Sequence, residues 1–398
     1  MRNLILFDDK NVWTDLLPIT YTRPLADVRL GILSIRHKWQ LRCRDINVST
    51  LTMPYLSKKY PVVECQSAIF VAGNICPDEK LVEAVKKLAE GEALMAGDSL
   101  LAFCGSRADF NERHFSTVLQ YDEEPTALHQ LYDIFLKNDI ELRRDFRLLT
   151  EGRTSMPLPE SCTVVGPCML DDGLPAIFIE EGASVEGAYL NTTAGPIYIG
   201  KDAIVMEGSC IRAPFAACHN AQVNMGAKIY GATTLGPHCK VGGELNNVVM
   251  IGYSNKAHDG YLGNAVIGEW CNIGAGTNAS NLKNDYTDIK LWNYRTHRFM
   301  RTGLIHCGLI MGDHSKAGIN CMFNTATVVG VGVNIHGAGF PRNFVASFLE
   351  GSVAGYSDVS VNKFFDTAKR MMARRGIELN DVDREIFESI YNIADNYK

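Results

Sequence analysis

The sequence predicts an α/β region, then a parallel β-helix of hexapeptide repeats, then a helical tail. Three observations carry this prediction. Strand-like and helix-like segments alternate over the first 150 residues. Aliphatic residues then recur every six positions through the middle of the chain, a period that fits a β-helix and neither an α-helix nor a long strand. From Ser357 onward this period ends and helical stripes replace it.

The composition is that of an ordinary globular protein. The 398 residues, 46% hydrophobic and 21% charged, are enough for about two or three domains. A net charge of −6 argues against nucleic-acid binding, which goes with a basic excess. No segment reads as a signal peptide or a membrane helix. Because the twelve cysteines are dispersed without a Cys-x-x-Cys pair, we expect free thiols, no metal site and a cytoplasmic protein.

The first region, residues 1–150, alternates strand and helix signals. The segments NLILF and AIFVA read as buried strands. The segment PDEKLVEAVKKLAEG reads as a helix with Leu81, Val85 and Leu88 on one face. A second helical stretch is ALHQLYDIFLKNDIELRRDF. This alternation predicts an α/β domain.

The second region, residues 151–356, carries the six-residue period. The unbroken run is Ile199, Val205, Ile211, Ala217, Val223, Ile229, Leu235 and Val241. The period resumes at Ile267 and Ile273, and again at Met311, Ala317, Phe323, Val329 and Ile335. In a hexapeptide β-helix these side chains point into a triangular prism, and small residues follow them at the corners.

The repeat is interrupted at two places that attract functional interest. One is the segment YSNKAHDGYLGN, Tyr253 to Asn264, which is rich in polar groups. The other is the longer gap from Leu282 to Gly303. Because loops inserted into a solenoid often carry function, we expect the first segment to leave the prism wall and to present its polar side chains outward.

The third region, residues 357–398, reads as two helices. One stripe is Phe364, Phe365, Ala368, Met371 and Met372, and the other is Ile386, Ile390 and Ile393. The second helix has an N-cap signal at Asn380 or Asp381. We expect this tail to cap the β-helix, with subunit contact as the alternative role.

One stretch resembles a known family. The run KAHDGYLGNAVIGEWCNIGAGTNASNLKN is similar to the acetyl-transfer region of the bifunctional sugar-1-phosphate nucleotidyltransferase/acetyltransferases. The later GDHSKAGIN looks like a coil found in a subgroup of these enzymes. The resemblance implies a nucleotidyltransferase-like N-terminal domain, a left-handed β-helix and a homotrimer.

The resemblance also implies site residues. The acetyl-transfer histidine of the family falls on His258, which would act as general base, because an imidazole can remove a proton at neutral pH. The implied contacts to a sugar phosphate or sugar nucleotide are Lys256, Tyr261, Asn272 and Asn281, and those to acetyl-CoA or another acyl-CoA are Ala275, Lys316 and Arg342.

The chain departs from the family at several positions. Asn246 and Asn247 stand where the family has lysines, Leu282 replaces a tyrosine and Ile319 a serine. The acceptor sugar therefore need not be glucosamine-1-phosphate.

The N-terminal region departs further. It lacks the Gly-rich phosphate loop, since no glycine precedes Gly31. The resemblance leaves Arg23 as the phosphate ligand and Asn74 at the position of the metal aspartate. Mg²⁺ is expected only if this domain is active, and an amide binds it more weakly than a carboxylate.

Three functions follow from the sequence. The first is acyl transfer from acyl-CoA to a sugar phosphate or sugar nucleotide, with nucleotidyl transfer at the N-terminal domain as an addition. The second is nucleotidyl transfer alone, with the β-helix as a trimerisation scaffold. The third is a non-catalytic scaffold that binds a sugar nucleotide.

Overall fold

A computed structural model describes residues 2–398. Its N-terminal part contains a mixed six-stranded sheet. The strands are β1 (Asn3–Phe7), β2 (Asn47–Leu51), β3 (Ala68–Ala72), β4 (Glu92–Ala96), β5 (Ser99–Gly105) and β6 (Thr117–Gln120). The helices are α1 (Lys10–Asp15), α2 (Ile35–Arg42), α3 (Glu79–Lys87), α4 (Arg107–Glu112), α5 (Asp133–Leu136) and α6 (Asn138–Thr150). Short 3₁₀ turns lie at Ile19–Thr22, Leu25–Asp27, Pro54–Leu56 and Asp395–Tyr397.

This sheet confirms the α/β prediction. Its order is β2-β1-β3-β5-β4-β6, with β1 parallel to both of its neighbours and β5 antiparallel to β3 and β4. The predicted helix face forms, because Leu81, Val85 and Leu88 are all buried. The second helical stretch is two helices, α5 and α6, separated at Lys137.

The middle of the chain forms short parallel strands that coil around a common interior. Its first strands are β7 (Thr163–Val165), β8 (Ile177–Ile179), β9 (Ser184–Val185), β10 (Tyr189–Asn191), β11 (Ile197–Ile199), β12 (Ile204–Val205), β13 (Cys210–Arg212), β14 (Phe215–Ala217), β15 (Gln222–Val223), β16 (Lys228–Tyr230), β17 (Thr233–Leu235) and β18 (Lys240–Val241). The next are β19 (Glu244–Gly252), β20 (Asn255–Lys256), β21 (Tyr261–Glu269), β22 (Asn272–Ile273), β23 (Asn278–Ala279), β24 (Lys290–Asn293), β25 (Arg298–Arg301) and β26 (Ile310–Met311). The last are β27 (Lys316–Ala317), β28 (Met322–Phe323), β29 (Val328–Val329), β30 (Asn334–Ile335), β31 (Phe344–Val345), β32 (Leu349–Ser352) and β33 (Gly355–Asp358).

The interior of the coil confirms the six-residue period. Every residue of the predicted run is buried, and these side chains form one apolar cluster. Strands one full turn of the β-helix apart stack in register, as in Val205 beside Val223 and Val223 beside Val241. The aliphatic columns hold the coils together, because each coil buries its apolar face only against its neighbours. The fold class is therefore confirmed, while the left-handed sense of the coil stays a prediction.

The segment Tyr253 to Asn264 does not leave the wall, so that expectation is wrong. Its residues Asn255 and Lys256 form β20, which pairs with β18 and β22 in a ten-stranded face. Its last part opens the nine-residue strand β21, which pairs with β19. The segment stays in the wall, because strands at both of its ends pair with those of the neighbouring turns.

The second interruption does leave the wall. It forms the antiparallel hairpin β24–β25, which packs on the N-terminal region. The Asn293 amide donates to Asp15 at 2.7 Å, and Arg295 pairs with the same carboxylate at 2.9 Å. The hairpin thus fastens the coil to the N-terminal region.

The tail forms α7 (Val361–Ala373) and α8 (Asp381–Ala394). The N-cap prediction is confirmed at Asn380, whose side chain accepts from the backbone of Asp383 at 2.8 Å. The tail covers the coil at His314, whose ring lies 5.5 Å from that of Phe364 and 5.2 Å from that of Phe387. It also contacts the N-terminal region, so it does more than cap the β-helix.

Three parts of the chain share one apolar core. The N-terminal sheet, one flank of the coil and the tail helices contribute to the same cluster. The limits 1–150, 151–356 and 357–398 therefore stay a prediction. In the described part of the chain, no helix combines the length and the apolarity needed to cross a membrane.

Candidate functional site

We call residues 257–260 the His258 corner. The residue just before it, Lys256, has an unusual place in the wall. Lys256 lies beside Val241 in the column that points into the prism. Its side chain is only 2% exposed. The ammonium donates to the Gly242 carbonyl at 3.0 Å and to the His258 carbonyl at 2.6 Å. Burial lowers the pKa of Lys256 to about 8.

This geometry corrects the role predicted for Lys256. A phosphate ligand needs an ammonium that faces solvent, and here the ammonium faces the interior of the coil. Its two carbonyl contacts instead join the coil before the corner to the backbone of His258. Lys256 therefore holds the corner and is not positioned to contact substrate.

His258 itself is exposed. Among residues 2–398, no side chain forms a hydrogen bond with its imidazole, so both ring nitrogens are accessible. The corner is tied to the next coil by the Gly276 N–H, which donates to the Asp259 carbonyl at 2.9 Å. Gly260 ends the corner with φ +122°, and a Cβ there would lie 2.1 Å from the Thr277 carbonyl oxygen. Only glycine fits this close approach.

On one side of the corner lies a cleft of 720 Å³ that we call the basic cleft. Its lining includes His258 and five cationic side chains: Lys240, Lys316, Arg370, Arg374 and Arg375. No acidic residue lines it. Burial, followed by Arg375 and Arg374, lowers the pKa of Lys240, and burial lowers that of Lys316 to about 8. These cations therefore lack counter-charges.

Three predicted residues line the basic cleft: Asn272, Ala275 and Lys316. The N–H of Ala275 has no acceptor within residues 2–398, so it is free to bind a ligand. Arg342 is exposed but lies outside this cleft, so the structure does not bring it to the other predicted acyl-CoA contacts. The sequence reasoning missed the tail arginines, although the spacing of Arg370 and Arg374 places both on one helix face.

A second cleft, of 940 Å³, is lined by Tyr261, the residue that follows the corner, and we call it the amide cleft. Its polar lining includes Asn246, Asn247, Asn264, Asn281, Tyr230 and Tyr261. Asn281 donates to Asn264 at 2.7 Å. A Cβ on Gly263 would lie 2.3 Å from the Tyr261 hydroxyl oxygen and 2.9 Å from the Asn281 amide nitrogen. The glycine thus lets the phenol fold back beside the amides, where burial raises the pKa of Tyr261.

The predicted site residues therefore divide into two groups. Tyr261 and Asn281 line the amide cleft, whereas Asn272, Ala275 and Lys316 line the basic cleft with His258. Asn246 and Asn247, which replace family lysines, also line the amide cleft.

The N-terminal region uses Arg23 differently from the prediction. Its side chain is 3% exposed and donates to Asp313 of the coil. Thr22 donates to the same carboxylate at 2.7 Å, and Glu269 lies 3.3 Å from the guanidinium. Arg23 thus anchors the N-terminal region to the coil, and it is not exposed to a nucleotide phosphate.

Asn74 lies at a separate N-terminal cleft of 530 Å³. It is buried, and its amide donates to the Leu128 carbonyl at 2.9 Å. Nearby Asp9 caps α1, and burial raises the pKa of Asp8 to about 7. Within residues 2–398, no group of three or more acidic, histidine or cysteine side chains is arranged to hold a metal ion. The cleft is lined by the carboxylates of Asp9, Asp98 and Glu124, which are not gathered into one such group.

Comparisons with known proteins agree with the family resemblance. A model of the sugar nucleotidyl transferase family matches residues 4–154. The bifunctional protein GlmU of Trichodesmium erythraeum is 29% identical over 140 residues, which are 35% of this chain and 25% of that protein. The GlmU of Synechococcus elongatus strain PCC 7942 is 22% identical over 255 residues, 60% of this chain and 52% of that protein.

The chain thus spans between a quarter and about half of the length of these relatives. A solved UDP-N-acetylglucosamine acyltransferase from Francisella novicida is 13% identical, with a TM-score of 0.30, and covers 61% of this chain and 76% of that one. A score this low indicates no more than a general likeness. Residues 4–154 thus match the sugar nucleotidyl transferase family, and the chain is similar to the bifunctional GlmU proteins, as the resemblance of its sequence predicted.

Proposed function

We propose that this chain transfers an acyl group from an acyl-CoA to a sugar phosphate or sugar nucleotide, with His258 as general base. One observation carries the proposal. The exposed His258 lines the cationic cleft, and Tyr261, three residues further along the chain, lines the amide cleft. A group that removes a proton at neutral pH thus borders a site suited to an anionic donor, and its own segment leads into a site suited to a hydroxylated acceptor.

The chemistry follows from these groups. The imidazole of His258 takes a proton from an amine or hydroxyl of the acceptor as that atom attacks the thioester carbon. The new N–C or O–C bond forms, the C–S bond breaks, and the imidazolium returns the proton to the departing thiolate. In this proposal the N–H of Ala275, a residue that lines the basic cleft, stabilises the intermediate oxyanion.

The two clefts suit the two substrates. Free cations in the basic cleft match the phosphates of coenzyme A. The amide cleft offers asparagine amides and phenols, which both donate and accept hydrogen bonds and therefore match sugar hydroxyls. Acyl-CoA is a co-substrate here and not a resident group.

Nucleotidyl transfer at the N-terminal region is the second candidate function. The family match over residues 4–154 favours it. Arg23 is engaged with the coil and the Asn74 amide with a backbone carbonyl, so no step through a metal is derived. Pyrophosphate release from UTP or dTTP with sugar-1-phosphates tests this activity. If both assays are silent while a sugar nucleotide binds tightly, the chain is a non-catalytic scaffold.

The assembly and compartment are also proposals. A homotrimer follows from the relationship to the bifunctional enzymes. A cytoplasmic location fits the twelve free cysteines, most of them buried.

The decisive experiment measures thiol release from acetyl-CoA and other acyl-CoA thioesters with a panel of amino-sugar phosphates and sugar nucleotides. His258→Ala should lower the rate by about 10²-fold or more, the usual contribution of a general base. The matched control is His336→Ala, since His336 is also exposed next to an inward residue of the coil, yet lines neither cleft. Equal loss in both variants would refute the role of His258.

A further inference from the structure

The six-stranded sheet of the N-terminal region has two edges, and they differ in how they are covered. One edge is β2, whose Ser49 and Thr50 are buried. The Ser49 hydroxyl accepts from the Val63 N–H at 3.2 Å, so the segment after β2 packs against that strand. The other edge is β6, whose four residues are all exposed. The sheet is thus covered at one edge and open at the other.

The open edge presents unpaired backbone groups. The N–H of Tyr121, directly after β6, donates to the Met95 carbonyl of β4 at 2.7 Å. Because the direction of these groups alternates along a strand, the N–H and C=O groups of Val118 and Gln120 point away from β4. No strand within residues 2–398 pairs with this side of β6. A row of free N–H and C=O groups is a template for another strand.

The side chains of β6 do not protect this edge. Edge strands are commonly protected by lysine, by proline or by a bulge. The sequence of β6, TVLQ, contains neither residue, and its pairing with β4 is regular. Instead, Val118 is 53% exposed and Leu119 is 39% exposed. Two neighbouring apolar side chains on an open edge favour contact with another strand, because the contact removes them from water.

The charges around β6 suit an antiparallel partner of the same sequence. The nearest titratable residues before the strand are His114 and Arg113, and the nearest acidic residues after it are Asp122, Glu123 and Glu124. Antiparallel pairing of two copies places the basic segment of each copy beside the acidic segment of the other, whereas parallel pairing places acid beside acid. Within residues 2–398 neither Arg113 nor Glu124 forms an ion pair, so both are available to a second copy.

We infer that β6 is a contact between two copies of this chain, in which the two strands pair antiparallel about a two-fold axis at Leu119. This register places Val118 of each copy opposite Gln120 of the partner subunit, and each such pair exchanges two backbone hydrogen bonds. Each Leu119 faces the same residue of the other copy, as a two-fold axis requires. The two six-stranded sheets then form one continuous sheet.

This contact differs from the proposed homotrimer and does not depend on acyl transfer. It lies on the N-terminal region, and a trimer would present three such edges to further copies. Arg113 and Glu124 also line the N-terminal cleft. The second copy would therefore lie beside that cleft and limit access to it.

The first test is sedimentation velocity of the 398-residue chain, from about 1 µM to about 100 µM, a range suited to weak contacts. A contact this short buries less than the roughly 1,200 Å² of a standard interface, so the association should depend on concentration. Across this range the mass of the wild type should at least double.

Two variants at one position test the backbone contact. Val118→Pro removes an outward N–H but no hydrogen bond to β4, so it should keep the smaller mass at every concentration. The matched control is Val118→Thr, which keeps the N–H and a β-branched side chain. It should associate as the wild type does.

A charge exchange tests the antiparallel direction. Arg113→Glu and Glu124→Arg should each weaken the association several-fold, because each variant brings like charges together. An equal mixture of the two variants should restore it, because every basic segment then faces an acidic one. This recovery requires both variants to be folded, so the result does not depend on the proline variant.

Three results would each overturn the inference. The first is a wild-type mass that does not change with concentration, in which case the open edge has another occupant, such as a strand of a different protein. The second is a proline variant that associates as the wild type does. The third is a mixture of the charge variants that associates no better than either variant alone. None of these masses depends on thiol release, so this inference and the proposed function fail separately.

Discussion

The basic cleft and the amide cleft are lined by successive parts of one segment, His258 and Tyr261, yet they differ in their charges and in their polar groups. The basic cleft joins one coil face to the tail helix α7, and its charged lining is entirely cationic. The amide cleft joins the coil to α5 and to the end of the hairpin insertion. Asparagines are the commonest of its polar residues, and its charged residues, Asp139 and Arg212, are of opposite sign. Charge suits phosphates, and neutral groups that both donate and accept suit hydroxyls.

The two clefts show how a repetitive β-helix can present two different sets of binding groups. The coil supplies similar backbone to both clefts, so their chemistry depends on what each corner adds from elsewhere in the chain. Lys256 donates to a carbonyl of the His258 corner and to the Gly242 carbonyl of the preceding turn. The comparison therefore predicts that changes in one cleft leave the other unaffected, while changes at Lys256 affect the reaction but neither cleft.

The largest effect is expected for Lys256→Met, which keeps an unbranched apolar side chain at this buried position but removes the ammonium that donates the hydrogen bonds. The Gly242 and His258 carbonyls would lose their partner and the corner would relax. A misplacement of about 1 Å can lower a rate by about 10²-fold. We expect kcat to fall by that order in the thiol-release assay, with unchanged affinity for ligands of both clefts.

The control for this variant is Lys228→Met, because Lys228 is an exposed lysine on strand β16 of the β-helix. It should keep wild-type kcat. If Lys256→Met instead weakens nucleotide binding while kcat is kept, Lys256 contacts the ligand and the positioning role is wrong.

The same lysine predicts a pH dependence of stability. Its pKa falls from 10.5 to about 8 in the folded protein, because burial disfavours the charged form. Between these values the unfolded chain binds more protons than the folded one, so stability rises with pH. The shift corresponds to roughly 3 kcal/mol.

Urea unfolding of the wild type and of Lys256→Met across this range measures the effect. The wild type should gain stability relative to the variant as pH rises from about 8 to about 10.5. A difference that stays flat with pH would contradict the burial of a neutral lysine. Other titrating groups cancel in the comparison, since both proteins carry them.

The sequence predicted the wall better than the site. The six-residue period identifies inward positions, because every coil repeats the same geometry and Val205, Val223 and Val241 must stack. Lys256 breaks this rule without leaving the column. From the sequence alone a lysine is expected to be exposed. The sequence therefore could not show that this ammonium is buried and donates to two carbonyls.

Contacts across long sequence separations were also beyond prediction. Arg23 looked like a phosphate ligand because its local segment resembles the family's, yet its partner Asp313 lies far along the chain. The tail arginines reach the basic cleft only because α7 folds back over the coil. A motif describes neighbours in sequence, and these sites are built from neighbours in space.

A smaller effect is expected in the amide cleft. Tyr261→Phe removes only the hydroxyl that lies beside the amides of Asn246 and Asn281. One lost hydrogen bond corresponds to about a fivefold to tenfold rise in KM for the acceptor. Affinity for coenzyme A should not change. The matched control is Tyr286→Phe, an exposed phenol in the insertion that lines neither cleft.

A loss of coenzyme A binding in Tyr261→Phe would mean that the two clefts are one site. The two clefts would then be separate only in the absence of ligand.

The smallest expected effect is on salt dependence, and it compares the clefts directly. Raising the ionic strength from about 0.1 M to about 1 M shortens the screening length from about 10 Å to about 3 Å. Coenzyme A held by the free cations of the basic cleft should then bind several-fold more weakly. An uncharged monosaccharide in the amide cleft should bind equally at both salt concentrations, because its contacts involve no net charge.

An arginine variant of the basic cleft sharpens this comparison. In Arg370→Gln/Arg374→Gln the salt dependence of coenzyme A binding should be shallower than in the wild type, because fewer charges contribute. The same variant should leave the monosaccharide titration unchanged at either salt concentration. Parallel salt curves for the wild type and the variant would mean that the phosphates bind elsewhere, and the division of charge between the two clefts would be wrong.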